Sequence, residues 1–420
     1  MVGFQCVVGW LWLSAGAVAG AQVPSLGVDD AVKIGLKKNP QVAAGRAGVA
    51  SALATYRSAA ALPPITLSGT HVQGTSTAPT LNGTNNDTFI DLGETFDLSG
   101  QKRYQAAGAN ATYKATKYTF DETLLTLEQQ IRDAYWSLAA AQAQTKIADV
   151  SLKEAQKVYD LTVQQQTAGA APRGDVVRSS IDVANAKQAL LTAQGAERTA
   201  LFTFNNLLAR DPSTPTILAD DLTTEDTPPD FQVPDLKELS TEATKSRALV
   251  LSAEESRNAA NYALRQAESS RFPDLGIDYQ RSTQQSVDTI LFTASIPLVD
   301  FGSVSQSIKA ARESRKQAEA QLAQTRQQVQ QQVAQAHADL ELALKSAADY
   351  KKEILDPSTT LLDMAQLGYK QGATGILPVM DAESTIRSAR VGYINSLLAA
   401  YKAQDEILAA TGKLPTQKGK

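Results

Sequence analysis

Cysteine, histidine and aromatic side chains are scarce in this chain. Its 420 residues include one cysteine, Cys6, two histidines and only 6% aromatic residues. A single cysteine cannot form a disulfide within the chain. His71 and His337 stand far apart without a cysteine or clustered carboxylate nearby, so the sequence predicts no metal site. No Ser-His-Asp arrangement, phosphate-binding loop or dinucleotide fingerprint occurs, and we expect neither a catalytic site nor a cofactor.

Strong charge and long apolar runs are also missing. The net charge is −4 and no dense Lys/Arg cluster is present, which argues against a nucleic-acid partner. No apolar run of about 18 residues follows Ala21, so the sequence predicts no membrane-spanning helix.

The first 21 residues have the pattern of an export signal. They carry no charge, contain the apolar run 7–13 and end in Ala19-Gly20-Ala21. A short apolar segment before an A-x-A site predicts a signal peptide (1–21) cleaved after Ala21, although the usual Lys or Arg before the apolar run is absent. Gly3-Phe4-Gln5 is a poor context for lipidation of Cys6.

The rest of the chain contains one structural unit twice. The landmarks occur in the same order in both halves: Pro63 and Pro273, Gly100 and Gly302, Gly169 and Gly372. We predict a mainly α fold with a small β part, made of a duplicated helix-strand-strand-helix-helix unit. The first repeat is 22–210 (strands within 65–98, long helix 101–166, return helix 175–209). The second is 236–412 (strands within 275–299, long helix 303–371, return helix 379–410).

The predicted helices are unusually long. The 66 residues of 101–166 would extend over about 100 Å, far beyond a typical globular helix. Each return helix would cover about half of that length, so a return helix and the first helix of the unit, placed end to end, would match one long helix. Pro40 should kink or restart the first helix, and Pro357 should do the same to the long helix 303–371.

Four segments have strand-like alternation and the length that a tilted strand needs to cross a bilayer. Two small hairpins lying on the helices would explain the same pattern. If the strands cross a membrane, four of them cannot close a barrel, and an open edge is not tolerated in lipid. Three chains would supply 12 strands, an even number that can close.

Two further segments complete the division of the chain. Residues 211–235 hold five prolines and seven acidic residues, which predicts a connector that packs against the helices. Residues 413–420 form a short basic tail.

In this order and duplicated, the motifs resemble the TolC-like outer membrane efflux proteins. The resemblance covers nearly all of the chain after the signal peptide. It is carried by Ala31 through Asn39-Pro40, by Phe272-Pro273-Asp274-Leu275, and by Tyr369-Lys370-Gln371-Gly372 before Pro378-Val379-Met380-Asp381-Ala382. It implies a trimer with a 12-stranded β-barrel in the outer membrane, continued by a long α-helical barrel in the periplasm. It also implies a periplasmic adaptor and an inner-membrane pump of the RND, ABC or MFS type as partners.

The same resemblance implies a gate at the helix tips. Asp175, Asp381 and Tyr369 match gate positions, with Tyr369 expected to bond to Asp175. Thr374 replaces an arginine that would link the repeats, and Pro378 replaces a second aspartate. Purely structural roles are the alternative: helix capping for Asp175, a first-turn charge for Asp381, packing for Tyr369, helix termination for Gly169 and Gly372, and an inert kink at Pro357.

A second function class fits part of the sequence. A periplasmic coiled-coil adaptor or scaffold would explain the export signal and the long helices. It would not explain two strand pairs of bilayer length at equivalent positions of the repeats.

Overall fold

The computed structural model describes residues 25–62, 64–75, 84–97, 99–224, 227–272, 274–283, 288–295, 302–371 and 373–413. The predicted signal peptide with Ala21, the turn residue Gly372 and residues 414–420 of the predicted tail lie outside the described residues.

Each half contains the predicted order of elements. The first half consists of α1 (Val28–Lys38), α2 (Pro40–Ala60), β1 (Thr66–Thr75), β2 (Thr84–Phe96), α3 (Gln101–Thr167) and α4 (Arg173–Leu207). The second consists of α5 (Leu236–Ser246), α6 (Ala248–Ser269), β3 (Asp274–Ser282), β4 (Asp288–Ser295), α7 (Ser303–Tyr350), α8 (Asp356–Lys370) and α9 (Leu377–Ala410). The predicted fold class, mainly α with a small β part, is confirmed.

Glycine marks the start of both long helices. Gly100 and Gly302 precede α3 and α7 with φ values of 75° and 85°. This left-handed conformation is strained for residues with a Cβ atom, so glycine allows the sharp turn from strand to helix at equivalent points of the two repeats.

The shorter helices meet end to end beside the long ones. Asn39 ends α1 and caps α2 by accepting a hydrogen bond from the Gln41 backbone N–H, and its amide nitrogen donates to the Leu207 carbonyl at the end of α4 (3.0 Å). In the second repeat, Arg247 precedes α6, and its guanidinium donates to the Ala410 carbonyl at the end of α9 (3.4 Å). The pairs α2–α4 and α6–α9 therefore form the predicted two-piece helices.

A group of charges lies about midway along α3, and all of its members except the exposed Asp29 are buried. We call Asp29, Glu128, Arg132 and Asp405 the middle charge cluster. Arg132 lies 2.6 Å from Asp29 of α1, 3.4 Å from Glu128 of α3 and 3.6 Å from Asp405 of α9. Glu128 is fully buried and Arg132 nearly so. Because the cluster joins both repeats, it fixes how α9 sits on α3.

Aromatic side chains surround this cluster and hold the connector. The Trp136 ring stacks on Tyr401 of α9 at 4.0 Å, and its Nε1 donates to Asp405 (3.0 Å). The Tyr135 hydroxyl donates to Asp220 of the connector at 2.5 Å. Leu222, in a short 3-10 turn, is buried against the same core. The described part of the connector therefore packs on the helices.

All four strands belong to one antiparallel sheet in the order β1-β2-β3-β4. The sequence places one strand pair in each repeat, and the structure joins the two pairs, since β2 pairs with β3 from Phe89↔Ser282 to Phe96↔Leu275. β1 and β4 are the free edges.

The two faces of the sheet differ in character. The register places apolar side chains of all four strands on one face, among them Leu67, Leu92, Ile277 and Phe292. Leu67 is 73% and Phe292 78% exposed, so this face is not covered by the helices. Ser68, Asp91, Asp278 and Thr293 lie on the opposite face. Hairpins packed on the helices, the alternative that the sequence leaves open, would cover the apolar face.

Among the described helices, none has the length and apolar character needed to cross a membrane.

Candidate gate at the helix tips

The first-repeat tip is a tight turn between α3 and α4. After α3 ends at Thr167, Gly169 has a φ of 76°, and the Ala170 backbone N–H returns to the Gln165 carbonyl (2.8 Å). Pro172 is extended and precedes the first residue of α4. Gly169 therefore terminates α3 in the left-handed conformation that such helix ends require.

The second-repeat tip closes with the same pair of backbone hydrogen bonds as the first, in which Ala170 and Ala171 both donate to the Gln165 carbonyl. α8 ends at Lys370, and the backbone N–H groups of Ala373 and Thr374 both donate to the Gly368 carbonyl, at 2.9 and 3.3 Å. α9 begins at Leu377, with Pro378 as its second residue. Thr374 thus bonds within its own turn, and in the described part of the chain no bond of its side chain to the other repeat is recorded.

Among the described residues, one recorded side-chain hydrogen bond links the two repeats in the last turns above the tips. The Tyr369 hydroxyl donates to Oε1 of Gln165 in the last turn of α3. The predicted bond to Asp175 is therefore wrong within one chain. Gln165 belongs to the last turn of α3, whereas Asp175 lies on the other side of the tip, in the first turn of α4.

The two tip carboxylates have no recorded side-chain partner in the described part of the chain. Asp175 is half-buried, and its backbone N–H donates to the Pro172 carbonyl (3.0 Å). Pro172, not Asp175, occupies the capping position, so the capping alternative for Asp175 is wrong. Its charge in the first turn still favours the helix start. Asp381 is exposed in the second turn of α9.

The long second-repeat helix is interrupted where its proline lies. A π turn, Lys351–Leu355, separates α7 from α8, and Pro357 is the second residue of α8. Proline has no N–H for the helical ladder and its ring collides with the preceding turn, so the backbone widens there. Lys351 binds Asp356 across the break (3.1 Å) and lies over the Tyr393 ring at 5.8 Å.

Sequence reasoning missed a buried acidic residue close to the tip. Glu383 of α9 is only 7% exposed. Burial, together with the smaller effects of the Glu154 and Asp182 carboxylates and against that of Arg387, raises the pKa of its carboxyl to about 7. A signal was available, because Glu383 shares the helical stripe of the buried residues Val379 and Ile386.

The described residues contain no group of His, Cys, Asp and Glu side chains arranged to hold a metal ion.

The structure combines long helices from two repeats, one sheet with an exposed apolar face, and two helix tips joined by a side-chain bond. This combination defines a class of envelope proteins in which a helical tube continues from membrane strands. The family model described as outer membrane efflux protein matches residues 32–210 and 239–413, and the chain belongs to that family. It is an outer-membrane efflux channel that extends into the periplasm. The family consists of channel proteins, not enzymes. The scaffold alternative is thereby set aside.

Individual proteins agree with this assignment. The chain is 23% identical to Protein CyaE of Bordetella pertussis, over 94% of this chain and 85% of that protein. It is 24% identical to the cation efflux system protein CusC of Escherichia coli K12, over 71% of this chain and 67% of that protein. The CmeC outer membrane channel of Campylobacter jejuni has the same fold, with a TM-score of 0.81 at 15% identity, covering 92% of this chain and 85% of that one.

Proposed function

We propose that three copies of this chain close into one tube and form a passive duct across the envelope. The observation that carries this proposal is the open four-stranded sheet with an exposed apolar face. Lipid tolerates no unpaired edge, so β1 of one copy would pair with β4 of the next. Three copies give 12 strands, an even number within the range of closed barrels.

The helices support the same assembly at two different lateral surfaces. Exposed large apolar side chains occur on α4 (Val177, Ile181, Leu191) and on α7, the π turn and α8 (Leu342, Ile354, Leu361, Met364, Leu367). α3 packs on both α4 and α9, and α9 packs on α7 and α8, so the two surfaces are the outer flanks of one protomer. A surface that pairs with a different surface of the next copy generates a ring when the rotation closes.

The duct would work with other proteins. An inner-membrane pump of the RND, ABC or MFS type would deliver cargo through a periplasmic adaptor to the helix tips. The matched family and the name of CusC, a cation efflux system protein, support a role in such a system.

The tips would be the narrowest part of the duct. Three copies of Asp381 would place three exposed carboxylates around one axis, with Asp175 nearby. Carboxylate rings favour cations in narrow passages. Thr374 and Pro378, which stand where the family pattern has an arginine and a second aspartate, leave fewer polar links and one acidic ring, so we expect a looser and less selective opening.

Mass measurement of the purified protein in detergent tests the assembly. Three copies per particle are expected in an outer-membrane fraction. A stable monomer in lipid, or a soluble periplasmic monomer, contradicts the proposal.

Single-channel recording tests the tip. Asp381→Asn should reduce the preference for cations over anions, while Glu341→Asn, at an exposed position of α7 far from the tip, should not. Equal selectivity in both variants would place the narrowest point elsewhere.

A further inference from the structure

A cleft of about 580 Å³, where the first repeat meets α6, is lined mainly by positive charge. Four of its lining side chains are cations: Lys33 and Lys37 of α1, Arg46 of α2 and Lys117 of α3. We call it the basic cleft. Asp121 is the one acidic side chain among the described lining residues. The chain as a whole has a net charge of −4, so this concentration of positive charge is a local exception. A cleft lined by one sign of charge focuses the electric field and attracts ions of the opposite sign.

Most of these cations are not matched by carboxylates. Lys33 binds Asp30 at 2.9 Å. For Lys37, Arg46 and Lys117, the described part of the chain contains no recorded ion pair or side-chain hydrogen bond. Positive side chains that line one cleft without counter-ions repel each other, and a bound anion would relieve that repulsion.

A second cleft of similar size is neutralised more completely. It has a volume of about 620 Å³ and lies between α3, α9 and the π turn. Its Lys146 binds Asp221 at 2.5 Å, and its Lys351 binds Asp356 at 3.1 Å. Two of the three cations of that cleft are therefore paired, against one of four in the basic cleft. The two clefts are alike in volume and differ in charge balance.

The second repeat carries the opposite charge at two equivalent positions. Arg46 and Glu254 each lie six residues after the first residue of α2 and α6. Lys117 and Glu319 each lie 16 residues after the first residue of α3 and α7. Both glutamates pair with an arginine of their own repeat, at 2.6 and 3.4 Å. The shared helical frame therefore does not require a cation at either place.

Beside the cations, the cleft presents an apolar surface. It is formed by five side chains from three helices: Leu36, Tyr118, Leu124, Leu125 and Leu251. Leu36 and Leu124 also pack against the main core, so this surface is held in place from behind. Sites for drug-sized ligands have volumes of this order and combine an apolar lining with a few polar groups that fix the orientation of the ligand.

The basic cleft also touches the breaks in both two-piece helices. Lys37 comes two residues before Asn39, which separates α1 from α2. Ser246 and Ala248, which line the cleft, flank Arg247 between α5 and α6. Because α3 packs on both α2 and α6, a ligand in the cleft would contact both repeats close to these breaks.

We propose that the basic cleft binds an amphiphilic organic anion. The acidic head group lies between Arg46 and Lys117, and the apolar body lies against the leucines of α3 and α6. Binding holds the first turns of α2 and α6 against α3. All lining residues belong to one chain, so the proposal does not depend on the number of copies in the assembly.

Calorimetric titration with naphthalenesulfonate tests the head group and the apolar body separately. The mature protein in lipid nanodiscs should bind one molecule per chain, after subtraction of the heat from empty nanodiscs. Inorganic sulfate has the charge without the body, and naphthylmethylammonium has the body with the opposite charge. Both should bind at least about tenfold more weakly than naphthalenesulfonate. Equal affinity for sulfate, or equal affinity for the ammonium probe, overturns the assignment of an amphiphilic anion.

Charge variants test the location of the head group. Arg46→Glu combined with Lys117→Glu gives the first repeat the charges of the second, and should weaken binding at least about hundredfold. Lys114→Gln removes an exposed cation of α3 that does not line the cleft, and should leave the affinity unchanged. If the double variant melts earlier than the unchanged protein, Lys117→Gln replaces it, with an expected loss of about tenfold. Unchanged affinity in the Lys117 variants overturns the proposal.

Hydrogen exchange tests the contact with both repeats. Bound naphthalenesulfonate should slow exchange in the first turns of α2 (residues 41–44) and α6 (residues 248–252). Absence of binding in the calorimeter, or slower exchange confined to other segments, contradicts the proposal. Neither result bears on the proposed trimeric duct, which is tested by its mass in detergent.

Discussion

The middle charge cluster and the tip region both bury carboxylates between the repeats, but they neutralise them differently. At the middle, Arg132 contacts three carboxylates from α1, α3 and α9, and Trp136 adds a hydrogen bond to Asp405. Near the tip, Glu383 makes no recorded ion pair within the described residues, and the repeats are joined by the Tyr369–Gln165 hydrogen bond and a long Arg387–Asp182 contact of 3.9 Å. The same helices are therefore firmly joined at one level and weakly joined at another.

This difference suggests where motion begins. A buried ion group with several contacts resists separation, because removing any member leaves an uncompensated charge. A region with few buried contacts opens at lower free energy. We expect the middle to act as the fixed part and the tip to be the part that opens, and the following variants test that contrast.

Removing the central arginine should have the largest effect. Arg132→Ala leaves Asp29, Glu128 and Asp405 without their cation, and we expect a loss of about 3–5 kcal/mol in stability. Thermal unfolding of the detergent-solubilised protein measures it. Lys153→Ala, which breaks an exposed pair with Asp149, is the control and should cost less than about 1 kcal/mol. Similar losses in both variants would show that the middle is not specially fixed.

The second-largest effect should be the pH dependence of stability that arises from the middle charge cluster. Burial raises the pKa of Asp405 to about 6 from its ordinary 3.8, against the opposing effect of Arg132. The protonated Asp405 carboxyl therefore stabilises the folded state below about pH 4, and this stabilisation is lost as the pH rises through about 6. Asp405→Asn should remove on the order of 1–3 kcal/mol of that pH-dependent loss. Identical melting profiles from pH 4 to pH 7.5 in the variant and the unchanged protein would contradict this.

Removing the tip bond should have a smaller effect. Tyr369→Phe deletes the donor to Gln165, a contribution of about 1 kcal/mol, and should raise the open conductance without a large loss of stability. Gln165→Ala should act alike, and the double variant should add little, because both changes remove one bond. Additive effects would show that Tyr369 acts through another group.

Substitution of Pro357 should have the smallest effect on equilibrium stability. Pro357→Ala restores a backbone N–H, so the π turn can relax towards a regular helix and the tip should swing less. Hydrogen exchange in α8 should slow, with the helix content nearly unchanged. Unaltered exchange and unaltered channel opening would reduce the break to an inert kink.

Much of this architecture is visible in the sequence because it rests on local rules. Glycine at 100 and 302, Pro40 after Asn39 and the long stretch without proline each determine a helix boundary from nearby residues. The family turn likewise identified Tyr369 and Asp381 by position alone.

What the sequence did not reveal depends on contacts between distant segments. The pairing of β2 with β3 requires knowing that two strands from different repeats lie side by side. The partner of Tyr369 depends on which residue of the first repeat lies beside it, and that residue is Gln165 at the end of α3, not Asp175 at the start of α4. Glu383 was overlooked because a glutamate on a helix is usually solvated, and only the arrangement of α3, α4 and α9 buries it.

The pairing of β2 with β3 also affects how the chain must mature. Phe89 and Ser282 come together only after both repeats have left the ribosome and crossed the inner membrane, so the sheet depends on a contact between remote parts of the chain. Such contacts form slowly, and an unpaired strand edge invites association with other chains. A first repeat waiting for the second would expose the edge of β2 throughout that interval, so this topology makes β2 the strand most open to pairing with another chain before folding is complete.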